Sequence, residues 1–145
     1  MIMDGGFLSY KGAVYPWHCD HMGHMNVMWY VGKFDEATWH LFNALGLTPD
    51  SLRAANRGMA AVEQNIQYKR ELLAGDIVEV RSTVLEIKDR VIRFAHDMRK
   101  ADTGELAATT TLTAVHLDKA ARRACELPAS VRERAAAMLS PVAAQ

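Results

Sequence analysis

Cysteine is scarce in this chain, with only Cys19 and Cys125 among 145 residues, far apart and in no Cys-x-x-Cys pair. That argues against a disulfide-stapled scaffold or a thiolate metal knuckle, and two reduced thiols are the simplest reading. An excess of one charge is missing too. The 17 basic residues are matched by 17 acidic ones, so no overall field draws the protein to nucleic acid or an anionic membrane. An anionic ligand must be held locally. No apolar run approaches the roughly 20 residues of a membrane-spanning helix. Met1 to Gly12 lacks the basic region and apolar core of a secretory leader. A cytoplasmic protein is expected, without nucleic-acid or membrane partners. Internal repeats and low-complexity tracts are also absent.

What is present is ordinary globular composition, 50% hydrophobic and 23% charged, at a length that suits a single domain over residues 1–145. One stretch stands out, Trp17-His18-Cys19-Asp20-His21-Met22-Gly23-His24-Met25-Asn26. It gathers a carboxylate, imidazoles, a thiol, a carboxamide and a glycine, then opens onto a helix-period run from Val27 to Gly46. Backbone N–H groups at a helix start have no intrahelical partner and carry the positive end of the helix dipole. They suit a developing oxyanion, and a carboxylate just ahead of them suits attack or water activation.

Around that stretch, Phe7 to Tyr15 reads as a strand closed by Pro16. Val27, Tyr30, Phe34, Ala37, Leu41 and Leu45 place an apolar stripe on the helix, and Trp29, Trp39 and Phe42 broaden it. A helix apolar on so much of its circumference is expected to be wrapped by other structure. Thr48-Pro49-Asp50 caps a short helix over Ser51 to Asn56, stopped by Gly58. Strand-like runs follow at Met59–Tyr68, Ile77–Lys88, Arg90–Lys100 and Leu106–Leu117, with a tight hairpin at Asp89 and a turn at Ala101 to Gly104. In Arg90 to Lys100, Ile92, Phe94, His96 and Met98 share one face and Arg93, Asp97 and Arg99 the other. Pro128 opens a terminal helix over Val131 to Leu139, and Ser140 to Gln145 is expected to fray. The order points to an α+β fold with a largely antiparallel sheet around one long helix.

Asp20, Gly23, His24, Asn26 and Tyr30 reproduce Asp-x-x-Gly-His-x-Asn-x-x-x-Tyr. That pattern resembles the hotdog-fold acyl-CoA thioesterases, in the branch of 4-hydroxybenzoyl-CoA thioesterase and its YbgC-like relatives. Phe34, Asp35 and Ala37, then Tyr68 with Gly75-Asp76, then Asp118, Arg122 or Arg123 and Pro128, extend the resemblance over nearly the whole chain. The Gly-His-Met-Asn run is most similar to enzymes of the betainyl-CoA thioesterase kind. The resemblance implies about five strands wrapped around a central helix. It also implies a homodimer or homotetramer with sites at the subunit interface, an acyl-CoA substrate, and Asp20 as the catalytic carboxylate. The chain departs from the pattern at Met22, where many relatives carry Asn, at His18, where an acid is common, and at Glu71, where proline is frequent.

For thioester hydrolysis Asp20 serves either as nucleophile or as general base. Gly23 permits close backbone approach, and N–H groups near Val27 meet the oxyanion. His24 and Asn26 orient carbonyl, water or Asp20. The competing structural roles are a capping acid for Asp20 and the helix N-cap for Asn26. His18, Cys19, Asp20, His21 and His24 have zinc-ligand chemistry, but one crowded loop with no second cluster argues for no metal, and no cofactor is implied. Glu63 lies with Asn65 and Gln67 on what reads as a solvated face. His96 and His116 read as hydrogen-bonded strand histidines. Arg90, Arg93, Arg99 and Lys100 are candidate holders of CoA phosphates, with plain surface solubility as the alternative. A hydratase is disfavoured by the missing Gly-His-Phe-Pro-like motif, and a non-catalytic acyl-thioester binder stays open through Met22.

Overall fold

The computed structural model describes residues 6–140. Its elements run β1 (Phe7–Ala13), α1 (Val27–Leu45), α2 (Pro49–Ala55), β2 (Arg57–Tyr68), β3 (Ile77–Ile87), β4 (Val91–Lys100), β5 (Leu106–Asp118), β6 (Arg123–Ala124) and α3 (Ala129–Ala137). All pairings between strands are antiparallel, in the order β1-β3-β4-β5-β2, with the two-residue β6 added beside the end of β5. The sheet curls around α1, the arrangement of a hotdog fold.

Side-chain alternation makes the sheet one-sided. Ile92, Phe94, His96 and Met98 of β4 are all fully buried, as are Val78, Val80 and Val84 of β3. They pack on Tyr30, Phe34, Ala37, Leu41 and Leu45 of α1. Asn26 and Gly46 bound that helix. Asn26 Oδ1 accepts the Met28 N–H, and Gly46 takes the left-handed conformation at φ 94°, letting the Leu47 N–H return to Phe42 O.

Several boundaries differ from the sequence reading. β1 ends at Ala13, because the Val14 N–H turns to Asp76 O and Pro16 starts a 3₁₀ turn over Pro16–His18. Asn56, left-handed at φ 54°, ends α2, and Gly58 already belongs to β2. The terminal helix begins two residues early, directly after Pro128, and ends two residues early at Ala137, where Met138 O and Leu139 are drawn to Val84 of β3. Ser140 is anchored there through its N–H to Val84 O at 2.8 Å, and the rest of the expected frayed tail lies outside the described residues. Val27, placed on the apolar stripe, is 58% exposed. It stands on the first turn, beyond the reach of the sheet. Trp39 is also exposed, so the sheet covers only one side of α1.

A buried polar chain fastens helix to sheet. Ser9 and Ser82 hydroxyls lie 2.7 Å apart, Ser82 Oγ meets His96 Nδ1 at 2.6 Å, and His96 Nε2 meets Thr38 Oγ1 at 2.8 Å. Burial pushes His96 from 6.5 down to about 3, so the imidazole is neutral and joins one donor and one acceptor. The unfolded chain therefore takes up a proton near pH 6.5 that the folded protein refuses until about pH 3. Stability from this site is complete above pH 6.5 and is lost as pH falls through that window. Urea melts at pH 7 and pH 4 should show wild type losing roughly 3 kcal/mol more than His96→Gln between the two. Equal losses in both proteins would refute the assignment.

Candidate active site

The 3₁₀ turn after Pro16 brings the chain back across the start of α1. Asp20 to Gly23 then make a tight turn, with the Gly23 N–H on Asp20 O at 3.0 Å and the Asp20 N–H on His24 O at 3.1 Å. Gly23 sits at φ 87°, a conformation that side chains strain to adopt, with open space where a Cβ would stand. The turn is pinned on both flanks, by the Asn26 N–H on His18 O and the Met25 N–H on Leu72 O.

The Asp20 carboxylate is held at both oxygens. Oδ1 accepts the Met22 N–H at 2.9 Å, and Oδ2 accepts Asn26 Nδ2 at 3.0 Å. The opposite end of the same carboxamide, Asn26 Oδ1, caps α1. Asn26 thus caps the helix and grips Asp20 at once, and Asp20 is a turn-bracing acid without being the N-cap. Val27 supplies the first N–H of the helix, which has no acceptor among the described residues. A half-exposed carboxylate beside a free N–H at the positive end of a helix can attack a carbonyl carbon, or activate water, while that N–H meets the oxygen.

His24 lies on the other side of the turn. Its Nδ1 is 3.4 Å from Met25 O and its Nε2 is 3.7 Å from Glu71 Oε1, so the glutamate at the proline-type position gives the imidazole a carboxylate neighbour. A recess of about 230 Å³ opens here, lined by His24, Val27, Tyr30, Tyr68 and Arg70 among others. Burial raises Tyr30 to about 12, keeping it a neutral phenol whose hydroxyl donates to Arg70 O at 2.9 Å. That bond ties α1 to the segment after β2.

The remaining candidates disperse. His18 is buried against Trp29, and its Nδ1 accepts the Tyr15 N–H at 2.9 Å. Its pKa is lowered by burial and next by the Lys33 ammonium, against the pull of Glu36. His21 and Met22 are exposed. No group of three or more potential metal ligands converges among the described residues. Arg90, Arg93, Arg99 and Lys100 are strung along the β4 hairpin, from its turn to the end of the strand. Arg99 turns to Asp97 and Gly104 O, and Lys100 to Asp76. The cations beside the recess are Lys69 and Arg70. Glu63 is exposed on β2, away from the turn.

The family model described as the thioesterase-like superfamily matches residues 14–135. The chain belongs to the thioesterase-like superfamily. A betainyl-CoA thioesterase of Pseudomonas aeruginosa is 23% identical to this thioesterase over 130 residues, spanning 90% of this chain and 82% of the relative. Among solved structures, a Staphylococcus aureus protein in complex with CoA superposes with a TM-score of 0.87 at 22% identity, over 95% of this chain and 85% of that one. A gentisyl-coenzyme A thioesterase superposes with a TM-score of 0.77 at 28% identity, over 88% and 98%.

The double duty of Asn26 separates two effects that usually travel together. Asn26→Ser keeps a capping oxygen but is too short to reach Asp20, whereas Asn26→Ala loses both. In thermal denaturation Ser should stay within about 0.5 kcal/mol of wild type and Ala should lose about 1 kcal/mol. Both should lower thioester turnover by roughly 10- to 100-fold, the size expected for a hydrogen bond to a charged group. Full activity in Asn26→Ser would show that the grip on Asp20 is dispensable.

Proposed function

We propose that this thioesterase hydrolyses a small or medium acyl-CoA thioester to the free acid and CoA, with Asp20 as nucleophile or general base. The observation that carries it is the Asp20 carboxylate, fixed by Asn26 and Met22 beside the unpaired Val27 N–H. As nucleophile, Asp20 attacks the thioester carbon, CoA thiolate leaves, and water hydrolyses the mixed anhydride. As base, it takes a proton from the attacking water. In both routes the carbonyl oxygen gathers charge against the helix start. A thiol leaving group with a pKa of about 8.5 departs as thiolate without strong acid assistance, so no metal or redox group is called for. Gly23 lets the turn approach, and His24 is placed to orient the substrate.

A second copy of the chain belongs to this reading. Among the described residues β2 pairs on one side only, with Val62 62% exposed on its outer stretch. Met22, Val27, Met28 and Val31 form an open apolar rim around the helix start. Unpaired edges and apolar rims of this kind call for cover. Edge-to-edge association through β2 in a homodimer, or in a tetramer built from it, would close both and complete the recess with partner residues. The names of the relatives, all CoA thioesterases or a CoA complex, support the carrier. No helix among the described residues is long and apolar enough to cross a membrane.

Free-thiol release against short, branched, aromatic and long acyl-CoAs tests the proposal. Wild type should turn over at least one class, and Asp20→Asn should lose at least about 1,000-fold in kcat while keeping acyl-CoA affinity within a few-fold. Inactivity of wild type across the whole panel with intact binding would favour a non-catalytic acyl-thioester binder. Undiminished turnover in Asp20→Asn would remove Asp20 from the chemistry.

A further inference from the structure

A second cavity, of about 580 Å³, lies between β1 and α1 on the far side of the helix from Tyr68 and Arg70. Its size falls in the range of small-molecule sites, about 300–1,000 Å³. Lys33 lines it, with only 2% of its surface exposed. The ammonium donates to Tyr10 Oη at 3.0 Å and to Ala13 O at 3.3 Å, and sits 5.2 Å from the centre of the Tyr10 ring. Both acceptors are neutral. No carboxylate oxygen among the described residues comes within salt-bridge distance of Lys33. Buried charges are normally paired, and an ammonium carries three donors, so one N–H and a full positive charge are left for a guest. The chain makes room for this arrangement, since a Cβ at Gly12 would lie 2.3 Å from the Tyr10 hydroxyl and displace it.

The walls fix the rest of the guest. Tyr15 and Trp17 are stacked, with ring centres 4.5 Å apart and planes within 5°, and His18 leans on Trp29 at 4.5 Å. Rings packed against one another do not enclose a round cation as an aromatic cage does. They offer flat faces to a planar body. Glu36, exposed at the rim, disfavours a guest with a second negative charge.

We propose that this cavity binds a small planar monocarboxylate, with the carboxylate on Lys33 and the ring against the Trp17 and Trp29 wall. The site is separate from the Asp20 turn and does not rest on the hydrolytic reading.

Calorimetric titration with benzoate tests it, with benzyltrimethylammonium as the cation of similar shape. Wild type should bind benzoate saturably, one per chain, at least tenfold more tightly than the cation. Lys33→Met should weaken benzoate at least tenfold, and Trp17→Ala, a change at a residue 67% exposed and so harmless to folding, several-fold. Asp20→Asn should leave benzoate affinity within twofold, which separates this cavity from the hydrolytic site. Absence of saturable heat, preference for the cation, undiminished binding in Lys33→Met or in Trp17→Ala, or loss of binding in Asp20→Asn would each overturn the proposal.

Discussion

Asn26 is placed where a single side chain acts on both the helix and the acid. Its carbonyl oxygen accepts from the first turn of α1 and its amide nitrogen donates to Asp20. Because the two ends of a carboxamide cannot exchange roles without losing both bonds, the side chain has one orientation, and the Asp20 carboxylate inherits it. The geometry between that carboxylate and the free Val27 N–H is set by covalent structure plus two hydrogen bonds. Nothing of comparable stiffness positions His21 or Met22, which face solvent.

The remainder of the fold keeps that helix start in place. Phe34, Leu41 and Leu45 are locked into the sheet, and the chain from Ser9 through Ser82 and His96 to Thr38 crosses from β1 to α1 without a charge. Tyr30 on Arg70 O and the Met25 N–H on Leu72 O hold the first turn against the segment after β2. Rigidity is thus greatest on the sheet side of the helix. The open side, with Val27, Met28 and Val31, is where apolar surface is left over. A scaffold stiff on one face and apolar on the other is suited to gaining its second wall from another chain.

Much of this was legible in the sequence because it rests on local pattern. Two-residue alternation in β4 gave its buried face, and three- and four-residue spacing gave α1, with Asn26 marking its start by residue type. Long-range features were not legible. Lys33 sits beside the apolar stripe, and its position next to Phe34 was the one available hint of burial. Its acceptors come from Tyr10 and Ala13, which only the folded chain brings near. The arginines of β4 suit phosphate by type, and alternation turns them away from the core, where Arg99 meets Asp97 and Gly104 O. Val27 fitted the helical period, yet a period gives a direction around the axis and says nothing of how far along it the sheet extends.

The most direct test of the account is a crystal structure of the protein with a non-hydrolysable acyl-CoA in which a methylene replaces the thioester sulfur. The carbonyl oxygen should lie within hydrogen-bonding distance of the Val27 N–H, with the carbonyl carbon about 3–3.5 Å from an Asp20 carboxylate oxygen or one water removed from it. An acyl carbonyl bound away from the start of α1, with Asp20 still turned only to Met22 and Asn26, would contradict it.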